Sequence, residues 1–230
     1  MADEIRLASR RERHKDLRRT QIVDAAYDLL REVGADELSV KMIAERADVS
    51  AATIYNLFGA KGAVLEKVYA RDFEAFVAKV AALGATPALD AMFESVHIAA
   101  DLYRSDPAFY RGMSIGNPRA ERDLVISVQA PRAAFWQALL ARAVKERDLA
   151  ADTRLELVST AMMQLGGGAF GAWVADLISV DEMERQTCYG MARILVGVAR
   201  PAGRVRLQER IAVLEAAADS VPPKTSVAAS

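Results

Sequence analysis

Apolar residues recur every three or four positions along almost the whole chain, the spacing of helices that bury one face. The first firm helix runs from about Thr20 to Val33, with Ile22, Ala25, Ala26, Leu29 and Leu30 on one side and Gly34 as the terminating left-handed residue. A short helix follows, capped by Ser39 and carrying Val40, Ile43, Ala44 and Ala47. Asp48 and Val49 read as a tight turn. Ser50 caps a third helix, Ala51 to Phe58, which turns Ile54 and Leu57 inward. Gly59 and Ala60 break the chain, and a long helix starts near Lys61 with Val64, Leu65, Val68, Phe73, Phe76, Val77 and Val80 on its apolar side. Gly84 and Pro87 mark its end.

The same period continues to the end of the chain. A helix over about 88–104 places Leu89, Met92, Phe93, Val96 and Ala100 together. Asp106 before Pro107 is a cap followed by proline at the first helical position, and Asn117 before Pro118 repeats that signal. The helix that follows reaches about Glu146 and is expected to bend at Pro131. Asp152 is the expected cap of a helix to about Asp176. Ser179 with Glu182 forms a capping box for a helix that ends before Pro201. A last helix, Val205 to Ala218, carries Leu207, Ile211, Leu214 and Ala218, and Pro222 and Pro223 end the order. Strand-like alternation is nearly absent, so the fold class is all-α.

Composition narrows the classes. The chain has 230 residues, 52% hydrophobic types and 27% charged types, enough for a sizeable core. One cysteine excludes a self-contained disulfide scaffold and a four-cysteine zinc site, and two histidines, His14 and His97, exclude a histidine-rich metal cluster. No cofactor and no metal site are expected. The N-terminal segment has no apolar core of a signal peptide, and no charge-free apolar run is long enough to span a bilayer, so no membrane partner is expected and the expected location is the cytoplasm. The formal net charge of -1 excludes a globally basic nucleic-acid coat. A local basic segment is present all the same: positions 1–20 hold seven basic and four acidic side chains, which leaves +3.

Three helices, the last two short and joined by a tight turn, form a tri-helical helix-turn-helix. The first two brace the third, which is short enough to enter a major groove about 12 Å wide. Ala51 and Ala52 permit close approach, and the helix N-terminus offers free N–H groups to phosphate. A capped helix pair alone is a weak signal. The particular residues are more specific: Ile43, Ala44, Ala47, Val49, Ser50, Thr53, Ile54, Tyr55, Phe58, Lys61 and Leu65, behind Thr20 to Ala26 and Gly34. This pattern, over about residues 18–68, resembles the N-terminal domain of the tetracycline-repressor (TetR) family of bacterial transcription regulators. Two positions depart from it: Ala52 stands where Gly or Ser is usual, and Leu57 where His or Tyr often precedes the Phe.

The resemblance implies a role for each matching residue. Ser39 would cap its helix and contact phosphate. Ser50, Ala51, Thr53 and Asn56 belong to or flank the groove-reading helix, with Asn56 able to bond a base edge. Tyr55 and Lys61 resemble the family's phosphate-gripping tyrosine and lysine, and Lys41 and Arg46 are further contacts. Next to such a unit, Arg10, Arg11, Arg18 and Arg19 are placed to reach the minor groove or flanking phosphates.

The implied organisation is a flexible basic arm at 1–17, a helix-turn-helix domain at 18–64, a helical effector-binding and dimerisation domain at 65–218 with its extra C-terminal helix, and a disordered tail at 219–230. Helices at about 152–176 and 179–200 would pair with a second copy, giving a homodimer that reads a palindrome in double-stranded operator DNA. Gly166, Gly167 and Gly168 cost about 1 kcal/mol each inside a helix relative to alanine. Tight interface packing, a kink and a local break all remain open as reasons. Effector contacts are expected among Phe93, His97, Tyr110, Met113, Gln129, Trp136, Gln164 and Trp173. The scarcity of acids there suggests an apolar, neutral or anionic small molecule. The expected function is a ligand-responsive repressor. A transcriptional activator and a ligand-independent regulator of the same fold are the alternatives. An enzyme is not expected: no phosphate loop and no metal-ligand histidine pair occur, and Cys188 lies among apolar helical neighbours.

Overall fold

The structure, a computed structural model, describes residues 2–114 and 122–219, with side chains from residue 12 to residue 218. It contains ten helices and no strand among the described residues: α1 (Ala2–Glu37), α2 (Val40–Arg46), α3 (Ala51–Phe58), α4 (Lys61–Ala81), α5 (Ala88–Ser105), α6 (Pro107–Gly112), α7 (Arg122–Lys145), α8 (Leu155–Val174), α9 (Val180–Val196) and α10 (Pro201–Asp219). The all-α expectation is met. Two compact units divide the chain, one comprising Met1–Ala82 and Asp101–Arg132, the other Leu83–Ala100 and Ala133–Ser230.

In the first unit, α1 packs against α2, α3, α4 and α6. Its apolar stripe is deeply buried, with Ile22, Ala26 and Leu30 at 0% exposure. Helix α1 begins well before Thr20, continuing back through the segment read as an arm. Gly34 interrupts its regular geometry with φ 72° and ψ 172°, the left-handed φ that glycine tolerates. Ser39 and Ser50 cap as expected, accepting from the backbone N–H of Met42 and Thr53. Asp48 sits in the turn with φ 51°, and Gly59 ends α3 with φ 81°. Asp106 caps α6 and Pro107 occupies its first turn. The predicted Asn117–Pro118 start lies outside the described residues, as do residues 220–230 of the predicted tail.

The second unit is built on α8, α9 and α10, with α8 packed along α9 and α9 along α10. Its core joins Met92 and Phe93 of α5, Leu140 and Ala143 of α7, Leu149, Met162 of α8, Met191 and Leu195 of α9, and Leu207 and Ile211 of α10. Helix α7 continues through Pro131. Asp152 does not cap α8: the preceding residue is Arg154, which makes no side-chain cap bond. The reason is local, since Thr153 donates its hydroxyl to the Ala150 carbonyl and holds the chain in a turn one step too early for Asp152 to reach α8. Only half of the predicted capping box at α9 forms. Ser179 Oγ accepts from the Glu182 N–H, while the Glu182 carboxylate turns to Arg185 and Gln186. Helix α8 runs unbroken through Gly166, Gly167 and Gly168. Helix α10 starts earlier than predicted, at Pro201, and belongs to the core of this unit through Leu207 and Ile211.

Candidate nucleic-acid interface

Helix α3 is held from behind and open in front. Ile54 is fully buried, and Leu57 and Phe58 are half-buried. The rest of its surface carries Ala51 at the first turn and Ala52, Tyr55 and Asn56, all exposed, with Tyr55 at 54%. Among the described residues Tyr55 and Asn56 make no side-chain hydrogen bond, so their polar atoms are available to an outside partner. Ser50 and Thr53 satisfy one another: their hydroxyls are 2.9 Å apart, and the Thr53 N–H also donates to Ser50 Oγ at 3.2 Å. Those hydroxyls fix the start of α3 and remain solvent-facing enough to share a bond with phosphate.

The supporting helices explain why α3 stands where it does. Arg46 at the end of α2 makes a bidentate pair with Glu32 on α1, at 2.9 and 2.7 Å. The Glu32 carboxyl is held below its ordinary pKa by that bond, and the Arg46 guanidinium above its own. Arg46 therefore braces α2 against α1, and would have to exchange Glu32 for phosphate in order to contact DNA. Lys61 at the start of α4 donates to the Ala35 carbonyl at 3.1 Å, which closes the end of α1 and leaves two ammonium protons for another acceptor. Lys41 is exposed and stands 3.9 Å from Glu45 on the same helix. Arg18 is exposed, and Arg19 pairs with Asp16 one turn back at 3.0 Å. Ser39, Lys41, Arg46, Ser50, Ala51, Thr53, Tyr55, Asn56 and Lys61 thus all fall on or beside the short helices of one unit.

A second group of contacts was not visible in the sequence. Arg31 donates to Asp106, the cap of α6, at 2.8 Å through Nε and 2.6 Å through Nη2, and its guanidinium lies 4.4 Å from the Tyr27 ring centroid. The bond to Asp106 raises the Arg31 pKa, and burial raises that of Tyr27. Arg71 pairs with Asp24 and lies over the same tyrosine ring. Gly112 ends α6 directly against α1, where an added Cβ would overlap the Leu30 carbonyl oxygen. Residues 75 apart in sequence meet here, so no local period announces the pairing.

The predicted effector residues divide between the units. Tyr110, Met113 and Gln129 fall in the first, and Phe93, His97, Trp136, Gln164 and Trp173 in the second. Tyr110, Phe93 and Trp173 are buried, while Gln129, Gln164 and His97 are exposed. His97 Nδ1 lies 2.8 Å from a Glu184 carboxylate oxygen, a surface pair between α5 and α9. A shallow groove of about 340 Å³ between α5 and α10 includes Phe93 but none of the other seven. Burial pushes the Cys188 thiol up to about 12, so it is protonated at neutral pH. Among the described residues no cluster of metal-ligating side chains occurs, and no helix is long and apolar enough to cross a membrane.

Residues 22–68 match the family described as bacterial regulatory proteins, tetR family. The helix-turn-helix segment is thus similar to that of this family. A curated relative, the uncharacterized HTH-type transcriptional regulator YdeS of Bacillus subtilis (strain 168), is 57% identical over 44 residues, which are 19% of this chain and 22% of that protein. That likeness in sequence covers only a short segment of either chain. The likeness in fold is wider. The crystal structure of full-length TylP, a TetR regulator from Streptomyces fradiae, matches 92% of this chain and 94% of its own with a TM-score of 0.61 at 19% identity. A TetR-family regulator from Rhodococcus sp. matches 77% of this chain and 98% of its own with a TM-score of 0.65 at 18% identity. NalD of Pseudomonas aeruginosa, described as the secondary repressor of a multidrug efflux pump, matches 81% and 99% with a TM-score of 0.57 at 18% identity. The chain has the fold of TetR-family transcriptional regulators.

Proposed function

We propose that the chain is a ligand-responsive transcriptional repressor that binds a palindromic operator as a homodimer and is released by a small apolar or amphipathic effector. The observation that carries the DNA-binding part is the front of α3. Its small residues Ala51 and Ala52 and its polar residues Tyr55 and Asn56 are exposed, while Ile54 anchors the helix behind them. A helix in this state can lie in a major groove with its N-terminal turn against base edges. Asn56 is assigned to a base edge, Tyr55, Lys61, Ser39 and Lys41 to phosphates, and Arg18 and Arg19 to flanking phosphates or the minor groove. Arg46 serves first as the brace of α2.

One helix of two turns reads too few bases for specificity, so two copies related by a two-fold axis are required. Helices α8 and α9 are assigned to that pairing. In support, Gly167, Gly168 and Gly171 of α8 are exposed, with no atom near the position of an added Cβ, and Leu157 is 61% exposed. A second backbone can approach such a face closely. The repressor reading draws on NalD, which is described as a repressor.

The test is retention of sheared genomic DNA on the purified protein at about 0.15 M salt, followed by sequencing. The expected result is a short set of palindromic sites with half-sites about one helical turn apart. Diffuse retention without a motif would overturn the reading.

A further inference from the structure

Helix α3 carries no charged side chain: its eight residues, Ala51 to Phe58, include no Lys, Arg, Asp or Glu. Four of them are exposed, Ala51, Ala52, Tyr55 and Asn56. Ser50 and Thr53 spend their hydroxyls on one another and on the start of the helix, at 2.9 and 3.2 Å. The cations assigned to the interface belong to other elements. Lys41 is on α2, Arg46 is forked onto Glu32, and Lys61 donates to the Ala35 carbonyl at 3.1 Å.

Each base presents its own set of groups in the major groove, and the side chains of α3 match only some of them. Guanine offers two acceptors, N7 and O6, which suit a guanidinium or an ammonium, and α3 has neither. Cytosine offers an amino donor, which suits a carboxylate, and α3 has none. Adenine offers one acceptor, N7, and one donor, the N6 amino group. The Asn56 amide holds one group of each kind, and it makes no side-chain hydrogen bond among the described residues. Against guanine its carbonyl would face an acceptor and stay unpaired, which is costly once water is excluded. Thymine offers a C5 methyl group, and the methyl side chain of Ala52 is the matching apolar partner. Ala52 and Asn56, four positions apart, share one strip of the helix over about 6 Å, or roughly two base-pair steps.

We propose that α3 reads an A·T stretch: in each half-site Asn56 selects an adenine through N6 and N7, and Ala52 selects a thymine methyl roughly two base pairs away. Guanine is not selected in that stretch. A guanine read by Lys41 would lie outside it, because Lys41 stands on α2. This deepens the operator-binding function proposed above and rests on that reading.

The experiment uses the full chain and a library of duplexes with a randomised segment, selected at about 0.15 M salt and sequenced. The expected half-site holds an adenine and a thymine roughly two pairs apart, with no invariant guanine between them. Asn56→Ala should relax selection at the adenine alone, from a preference of about 5- to 100-fold to almost none. Two base analogues then probe the same contacts without altering the protein. Uracil in place of the thymine removes only the methyl group and should weaken wild-type binding about fourfold, the worth of one buried methyl. Ala52→Gly should be insensitive to that exchange. 7-Deazaadenine removes the N7 acceptor and should weaken wild-type binding about fivefold or more, with no effect on Asn56→Ala. An invariant guanine at the position that Asn56→Ala relaxes overturns the proposal and leaves the operator reading standing. Wild-type binding unchanged by both analogues does the same. Absence of any selected motif overturns both.

Discussion

The helix-turn-helix and the second unit are both helical, but they are held together differently. In α1–α3 each element is set by its neighbours in sequence. Ser39 and Ser50 cap the helices they precede, Asp48 and Gly59 take the turns beside them, and small aliphatic residues such as Ile22, Ile43 and Ile54 fill the space between. The second unit relies on distant partners. Arg206 of α10 bonds Asp90 of α5 at 2.7 Å and Asp148 before α8 at 3.0 Å. Gly203 presses against the Asp148 carbonyl, and Gly190 of α9 leaves room for Leu165 of α8. Arg210 lies 4.2 Å from the Phe93 ring centroid. A short reading helix tolerates little remodelling of its own surface if its front must face DNA, so its support comes from beneath and beside it. A scaffold of long helices can distribute its support over many contacts.

That contrast can be broken most strongly at Ile54. Replacement by alanine removes the single buried anchor of α3 and should cost about 2–5 kcal/mol in the first unit. Chemical denaturation should show the loss, and the self-association proposed for α8 and α9 should persist in sedimentation. Gly112→Ala is next. Its Cβ cannot coexist with the Leu30 carbonyl, so α6 must shift from α1, at about 1–3 kcal/mol. Amide exchange should rise in α1 and α6 and stay unchanged in α9 and α10.

Arg206→Met attacks the second unit instead. It removes both ion pairs and leaves the buried Asp148 carboxylate without that partner, at about 1–2 kcal/mol given the partial exposure of Arg206. Thermal unfolding should register the loss, while the proposed operator binding should keep its affinity. Asp72→Asn tests a pH dependence. Burial raises the folded pKa of Asp72 above its unfolded value, so the native state binds the proton more tightly and wild-type stability gains as pH falls from the folded pKa toward the unfolded one. Asparagine should remove that gain, flattening the denaturation midpoint over the same interval. Tyr55→Phe is the mildest change for the fold, within about 0.5 kcal/mol, because the exposed hydroxyl has no partner among the described residues. A fall in operator affinity with unchanged Tm would sharpen the division between reading surface and scaffold.

The degree to which each part could be read from sequence follows the same line. The caps at Ser39, Ser50, Asp106 and Ser179 were legible because a cap bonds a backbone N–H three residues away. Asp152 misled because Thr153 competes for the same turn through its own hydroxyl. The exposure of Ala52 and Asn56 opposite Ile54 follows from helical period alone, whereas Ala51 is exposed because it is the first residue of the helix. The engagement of Arg46 with Glu32 and of Lys61 with Ala35 does not, since those partners are 14 and 26 positions away. His97 stands beside the apolar stripe of α5, yet its position next to Glu184 depends on how α9 packs.

The order and type of the helices, the caps at Ser39, Ser50, Asp106 and Ser179 and the exposed face of α3 were determined by the sequence itself. The interactions responsible span three or four residues, or one short tri-helical unit of dense pattern. The brace on α2 and the seat of α6 on α1 were decided only in the tertiary structure. Each depends on which side chains from separate helices come within hydrogen-bonding distance. That outcome is set by packing of whole helices against one another, and a period along one helix carries no information about it.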